Sequence, residues 1–121
     1  MNAQSLRNKM LELLSTVQTL DPTVIGITES WGDGDVSDSE FSIPGFTMFR
    51  SDRQLKHRGG GVLLYVRNEL NPLEVKMKSN FADQIWCQVN VNDSDALLIG
   101  VCYRSPNTVI YGKIMIHLYA I

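Results

Sequence analysis

The stretch RGGGVLLYVRNEL, residues 58–70, places three consecutive glycines directly before an apolar run of strand length. Glycine adopts backbone conformations that are closed to other residues, so Gly59–Gly61 predict a sharp turn. The apolar run that follows is rich in valine and leucine and carries a tyrosine, as strands do. Together these features predict an exposed loop that turns sharply into a central strand over residues 61–67.

Phosphate binding is the competing interpretation of the same glycines. A phosphate-binding loop of that kind has a lysine followed by serine or threonine after its glycines, and it leads into a helix whose N-terminus faces the phosphate. Neither feature follows Gly61, and a strand comes next. The pattern therefore favours a structural turn.

The residues before this stretch predict one helix and one strand. Apolar residues recur at three- and four-residue spacing after Ser5, a candidate N-cap, and the DPT sequence at 21–23 ends the run. This spacing predicts a helix over residues 6–19. The VIGIT sequence at 24–28 predicts a strand covered on both faces, which delivers Glu29 at its end.

The remaining segments predict loops and strands. Residues 30–45 carry the glycines, acids and proline of a long exposed loop, and long loops in compact domains are often functional. Further strands are predicted at 46–50, 84–91 and 96–103, with an NDSD turn between the last two and Trp86 packed in the sheet. One helix followed mostly by strands indicates an α/β or α+β fold of layered sheets.

Composition and charge bound the function classes. The 121 residues suffice for one domain, and 44% hydrophobic with 20% charged residues is ordinary globular usage. A formal net charge of −2 differs from that of a strongly basic nucleic-acid-binding domain. Residues 10–49 contain acids but no lysine or arginine, whereas residues 50–58 are basic. This arrangement suits a metal-and-phosphate site or, alternatively, two solvated surface loops.

Two cysteines, Cys87 and Cys102, lie in predicted strands and are too few for a disulfide framework. Since no leader peptide is recognised, we expect a reduced, intracellular chain with both thiols in the core, while a bridge between them stays open. No apolar run approaches the roughly 18 residues of a membrane span. We therefore expect no membrane association.

Six segments follow one another in an order and at intervals typical of one enzyme family. They are NAQSLRNKMLEL (2–13), PTVIGITESW (22–31), PGFTMFRSDR (44–53), RGGGVLLYV (58–66), QIWCQV (84–89) and GVCYRSPN (100–107). Over about residues 2–107 the chain resembles the first half of the endonuclease/exonuclease/phosphatase superfamily. The resemblance is strongest to the endonuclease domains of non-LTR retrotransposons, and whether a reverse transcriptase accompanies the chain stays open.

The resemblance implies an α/β fold of a particular kind, a four-layered α/β sandwich that is partial here and truncated at both ends. Residues 1–107 are then the N-terminal half of the domain, and residues 108–121 are a divergent apolar tail. In the family the asparagine matched by Asn2 ends a core strand, so that strand is expected to be missing here. A sheet edge left open in this way invites association with another chain.

The resemblance also implies a Mg²⁺-dependent phosphodiesterase that acts on DNA, with Mn²⁺ as an alternative ion, in the nucleus if functional. Glu29 matches the family's metal-binding glutamate, Asn2 its asparagine near the metal and the phosphate, and Tyr103 its phosphate-contacting tyrosine. A strand-end glutamate suits Mg²⁺, which is usually held by one or two carboxylates together with substrate phosphate. Without the resemblance, Asn2 is a residue at a helix start and Tyr103 is a strand-end aromatic.

Further contacts to nucleic acid are expected from the same half of the domain. Asn107 matches a position that helps to place the nucleic acid, although the family's YRPP is YRSP here. Arg53 and Arg58 in the basic segment are expected to contact phosphate or nucleic acid. Arg104 either touches phosphate or is only solvated, and Trp31 either walls the site or packs against the protein.

The second half of the family's active site is absent from the printed sequence, which contains neither a GDxN nor an SDH segment. The two histidines, His57 and His117, are not preceded by aspartate. Since these segments activate the attacking water, we expect no useful turnover from this chain alone. Three hypotheses stay open: half of an endonuclease that needs completion, an inert relic, and a module that binds nucleic acid or a partner weakly without catalysis.

Overall fold

The computed structural model describes residues 1–52, 59–78, 83–92, 95–103 and 114–120. A 3₁₀ turn (Leu6–Lys9) leads into the helix α1 (Met10–Leu20), a one-turn helix α2 spans Asp38–Phe41, and a second 3₁₀ turn spans Asn68–Leu70. The described strands are β1 (Val24–Thr28), β2 (Phe46–Ser51), β3 (Val62–Arg67), β4 (Leu73–Glu74), β5 (Gln84–Asn90), β6 (Ala96–Tyr103) and β7 (Ile114–Ala120).

The strands form two antiparallel sheets. Sheet A has the order β1-β3-β2, and sheet B has the order β4-β5-β6-β7. Val62, the first residue of β3, pairs with Thr28 at the end of β1 and with Ser51 at the end of β2. The ends of β1 and β2 therefore meet the glycine turn that precedes β3.

Strand β3 lies at the centre of the fold, between two apolar cores. Its side chains alternate between the two faces of sheet A, and Val62–Val66 are fully buried. Leu63 and Tyr65 pack with the helices, whereas Val62, Leu64 and Val66 pack against sheet B. The fold thus has a helical layer, then sheet A, then sheet B, which explains why this strand has no polar alternation.

Helix α1 packs on sheet A through the residues whose spacing predicted it. Leu13 is buried, and Met10, Leu14 and Val17 pack around it against the same core. The prediction of Ser5 as a side-chain N-cap is wrong. Ser5 has a φ of 83°, in the left-handed region instead of the extended region typical of an N-cap, and its side chain makes no capping bond. Its backbone N–H and that of Leu6 donate to the carbonyls of residues 29 and 30.

The predicted mixture of helix and strand is confirmed, and the predicted strands are present to within about one residue at each end. Sequence reasoning missed α2, β4 and β7. Strand β7 lies within the segment 108–121 and pairs with β6 from Leu97 to Tyr103. Within the described residues, no helix is long and apolar enough to cross a membrane.

The two cysteines lie on opposite faces of sheet B. Cys87 faces the core between the sheets, as does Ile99, its partner in the register. Cys102 lies three residues after Ile99 on β6, so its side chain points to the opposite face of sheet B. Both thiols are free and buried. The bridge that the sequence left open is therefore not formed, and both thiols pack in the interior as expected.

Candidate functional site

The ends of several strands lie together at one rim of the two sheets. The backbone N–H of Gly61, just before β3, donates to Asp83 Oδ1 at 3.3 Å. The backbone N–H of Tyr103, at the end of β6, donates to the backbone carbonyl of Asp83 at 2.9 Å. Asp83 is buried and ties sheet A to sheet B here. We call residues 28–31, 60–61, 83 and 103 the site rim.

The glycine turn builds the half of the site rim that belongs to sheet A. Gly59, Gly60 and Gly61 have φ values of 106°, 70° and 83°, which confirms the predicted use of glycine in this turn. The N–H of Ser30 donates to Gly61 O at 3.2 Å, and that of Trp31 donates to Gly60 O at 3.0 Å. Pairing between β1 and β3 therefore continues past the ends of both strands.

The Glu29 side chain lies against this turn. Its Oε2 atom accepts a 2.6 Å hydrogen bond from the Trp31 indole Nε1–H and a longer one, at 3.4 Å, from the Gly60 N–H. Glu29 and Trp31 both have left-handed backbone conformations, with φ values of 56° and 54°. Such strain in residues other than glycine is concentrated at functional sites, where it orients side chains.

Trp31 is 41% exposed, and the only described polar contact of its side chain is with the Glu29 carboxylate. Of the two roles left open by the sequence, this geometry favours a place beside the site over packing in the core. Within the described part of the chain, the Glu29 Oε1 atom has no hydrogen-bond partner. One carboxylate oxygen is thus held in place by hydrogen bonds, whereas the other has none within this part of the chain.

Asn2 lies beside the end of β1, one residue from Glu29 in the register. It forms an isolated parallel bridge with Thr28, and the flanking bonds Ala3 N–H to Thr28 O and Thr28 N–H to Met1 O are both 2.8 Å long. Residues paired in parallel present their side chains on the same face. Asn2 is exposed and shares the face of Thr28.

Tyr103 reaches the same rim from sheet B, but its side chain faces the core between the sheets and is only 6% exposed. This burial agrees with the packing role that the residue type alone suggests. Its contact with a phosphate stays a prediction. The structure therefore brings Asn2, Glu29 and Tyr103 to one rim, with the first two exposed or half-buried and the third covered.

Arg50 organises the acidic loop that follows the rim, a role that the sequence did not reveal. Its guanidinium donates to Asp52 Oδ2 at 2.7 Å, to Asp38 Oδ1 at 3.0 Å, and to the backbone carbonyls of Val36 and Asp33 at 2.9 and 3.1 Å. The hydrogen bonds to Asp52 raise the pKa of the guanidinium above its usual value. The donors of the Arg50 guanidinium are therefore occupied within the protein and are not available to bind a ligand.

Gly60 and Gly61 donate their backbone N–H groups to the carboxylates of Glu29 and Asp83. A phosphate cradle needs such N–H groups to be directed at the ligand, so the structural interpretation of the glycines is favoured. The predicted contacts Arg53, Arg58, Arg104 and Asn107 lie outside the described residues, as does His57. For His117 only the strand position is described.

A divalent metal ion fits this rim only in part. Among the residues described, no group of three or more histidine, cysteine, aspartate or glutamate side chains is arranged to hold an ion. Mg²⁺ nevertheless binds commonly through one or two carboxylates, with water and substrate phosphate completing its shell. Glu29, with one oxygen oriented and the other free of described partners, suits one such position.

In comparisons with known proteins, the chain matches no protein-family model, and no curated protein matches it.

Proposed function

We propose that this chain is the N-terminal half of an endonuclease/exonuclease/phosphatase domain, of the kind encoded by non-LTR retrotransposons. In this proposal the complete domain is a four-layered sandwich that hydrolyses phosphodiesters in DNA with Mg²⁺. The chain alone supplies one side of the active site and has no useful turnover. It is intracellular, and nuclear when functional.

The observation that carries this proposal is the convergence of three residues matched by the family's motifs. Glu29, Asn2 and Tyr103 are 27 to 101 positions apart in the sequence. The pairing of residues 1–3 with β1 and the Asp83 bonds nevertheless bring them to one rim. This shared position is what supports the proposal.

The roles follow from the chemistry of the side chains. The Glu29 carboxylate would hold the ion, and the Trp31 N–H fixes the orientation of that carboxylate at 2.6 Å. A bound Mg²⁺ neutralises phosphate charge and stabilises the leaving oxygen. The exposed amide of Asn2 is suited to donate a hydrogen bond to a phosphate oxygen.

The expected lack of turnover follows from active-site segments that the printed sequence does not contain. No GDxN or SDH segment occurs in it. A general base typically contributes about 10²- to 10⁴-fold to a rate, and a missing metal ligand adds to that loss. The net charge of −2 also disfavours tight binding to duplex DNA, whose affinity comes largely from neutralised phosphates.

The proposal is tested by complementation in a plasmid-nicking assay with Mg²⁺. The chain is mixed with a polypeptide that carries the GDxN and SDH half of a retrotransposon endonuclease. We expect nicking only in the mixture, and we expect Glu29→Gln to lower it by about 10²-fold or more. The matched control is Glu69→Gln, an exposed glutamate distant from the rim, which should leave nicking unchanged.

Two results would contradict this proposal in different ways. Nicking by the chain alone that Glu29→Ala abolishes would show that the active site is complete. Equal nicking by the Glu29→Gln mixture and the unaltered mixture would show that Glu29 holds no metal, and the family role drawn for it would be lost.

A further inference from the structure

The peptide unit that joins Gly60 to Gly61 is held from both sides. Its carbonyl oxygen, Gly60 O, accepts a hydrogen bond from the Trp31 backbone N–H at 3.0 Å. Its N–H group, that of Gly61, donates to Asp83 Oδ1 at 3.3 Å. A trans peptide unit is planar, so these two bonds act on opposite sides of one rigid group. Asp83 and Trp31 are therefore coupled through this plane.

The glycines at both ends of this plane make it easy to rotate. Gly60 and Gly61 have φ values of 70° and 83°, and glycine enters positive and negative φ with similar ease because it has no Cβ. Rotation of the plane between two such residues meets little steric resistance from the backbone itself. The orientation of the plane therefore depends on its hydrogen-bond partners.

Asp83 is suited to be the partner that fixes the plane. Its side chain is buried, and a buried carboxylate needs hydrogen bonds to compensate for the loss of water. Its own backbone carbonyl accepts a hydrogen bond from the Tyr103 N–H at 2.9 Å. Residue 83 is thus anchored to sheet B while its carboxylate reaches the glycine turn of sheet A, and it offers the Gly61 N–H an acceptor in a fixed place.

The same plane leads to the Glu29 carboxylate by two routes. Trp31, whose backbone N–H bonds to Gly60 O, donates its indole Nε1–H to Glu29 Oε2 at 2.6 Å. The Gly60 N–H donates to the same oxygen at 3.4 Å. Both described donors to Glu29 Oε2 are therefore placed through Gly60, whose carbonyl belongs to the plane that Asp83 holds.

We propose that Asp83 is a positioning residue, which fixes the Gly60–Gly61 peptide unit and through it orients the Glu29 carboxylate to bind a divalent metal ion. The metal part of this inference rests on the proposed function. Removal of a hydrogen-bond partner of a metal ligand commonly weakens metal binding by about 10- to 100-fold. Asp83 acts one step further from the ion than the Trp31 indole does, so its effect belongs at the lower end of that range.

The orientation is tested first without metal, through the indole N–H resonance of Trp31 in the full chain labelled with ¹⁵N-tryptophan. The sequence contains two tryptophans, so the resonance lost in Trp31→Phe is that of Trp31. A hydrogen bond to a carboxylate shifts this proton downfield. We expect an upfield shift in Asp83→Ala, which lacks the acceptor, and an unaltered resonance in Asp83→Asn, which keeps an oxygen there. Tyr65→Phe removes another buried hydrogen bond, to Phe41 O, and should also leave the resonance unaltered.

Titration of the same samples with Mn²⁺ tests the link to the metal. Bound Mn²⁺ broadens the resonances of nearby protons, so the Trp31 resonance should broaden in the unaltered chain and not in Glu29→Gln. Half-maximal broadening in Asp83→Ala should need about tenfold more Mn²⁺, and Asp83→Asn should titrate like the unaltered chain. Where circular dichroism shows that Asp83→Ala is unfolded, Asp83→Glu replaces it. That variant keeps the charge but moves the oxygens by one methylene, and we expect the same changes from it.

The inference about Asp83 and the proposed function fail on different results. Broadening that is equal in Glu29→Gln and in the unaltered chain, or absent from both, would remove the metal role of Glu29 and the metal part of this inference. Broadening that needs Glu29 but is insensitive to Asp83→Ala would overturn the inference and leave the proposed function standing. A Trp31 resonance that is unmoved in Asp83→Ala, or moved as far in Asp83→Asn, would also overturn it, since the bond to Gly61 would then not orient the carboxylate.

Discussion

Ser30 and Gly61 approach each other so closely that their contact admits no side chain on residue 61. The Ser30 N–H donates to Gly61 O at 3.2 Å, and a Cβ built on Gly61 would lie 2.5 Å from Ser30 Oγ. Gly61 also has a φ of 83°, in the left-handed region. This contact sets the position of the Glu29–Trp31 segment against the glycine turn.

Replacement of Gly61 by alanine should destabilise the fold through both of these effects. Strained left-handed backbone in a residue with a Cβ costs about 1–3 kcal/mol, and Ser30 is buried, so its hydroxyl has little room to move. We expect Gly61→Ala to lower the free energy of unfolding by that amount, measured by urea denaturation. Gly34→Ala is the control, because a Cβ there meets nothing within 4 Å, and it should change stability by less than about 1 kcal/mol. Equal losses in both variants would contradict this account.

Trp86 lies flat over Gly100 in the neighbouring strand, and this contact gives a second prediction. A Cβ on Gly100 would overlap three atoms of the Trp86 ring. We expect Gly100→Ala to cost about 1–3 kcal/mol, as overpacking typically does. The same change made in a Trp86→Leu background should cost much less, since the smaller side chain removes the overlap. A double-mutant cycle by urea denaturation measures this coupling, and additive costs would show that the overlap is not the cause.

The features that could be predicted are those that depend on residues close together in the sequence. The spacing of Leu13, Val17 and their neighbours predicted α1, and Gly59–Gly61 predicted the turn into β3. Helix α2 has a capping box between Ser37 and Glu40, and its S-x-x-E spacing was a readable signal that sequence reasoning missed.

The features that escaped prediction depend on distant contacts. Arg50 looks like one member of a basic segment until the fold places it under the loop at residues 33–38. The buried Asp83 joins two sheets, which no local pattern shows. The bond from Trp31 to Glu29 requires two positive φ values in residues other than glycine, and sequence patterns do not predict these.

Substitution of Arg50 should destabilise the loop that this residue holds. Its side chain is 15% exposed and binds two carboxylates and two carbonyls with a planar fork of donors. Lysine keeps the charge but lacks the fork, so we expect Arg50→Lys to cost about 1–3 kcal/mol in urea denaturation. Lys76→Ala removes an exposed ion pair with Glu74 and should change stability by no more than about 0.5 kcal/mol. A loss in Arg50→Lys as small as that of the control would show that charge alone holds the loop.

The Cys87 thiol predicts how stability changes in alkaline solution. Burial raises the pKa of this thiol from its ordinary 9.0 to about 11. An unfolded chain therefore loses this proton at lower pH than the folded chain does. The stability contributed by the folded thiol is fully present below pH 9 and is lost as the pH rises from about 9 to 11.

Urea denaturation between pH 8 and 11 tests this pH dependence. The free energy of unfolding should fall across that range, and the fall should be shallower in Cys87→Ala, by at most about 1.36 kcal/mol per pH unit for a single proton. Alkylation by iodoacetamide gives an independent readout, because only the exposed thiolate reacts. Cys87 should react with iodoacetamide only as fast as the chain opens, so urea below the unfolding midpoint should accelerate its labelling. Fast labelling of Cys87 in the folded chain at pH 8, or an unaltered pH slope in Cys87→Ala, would contradict its place in the core between the two sheets.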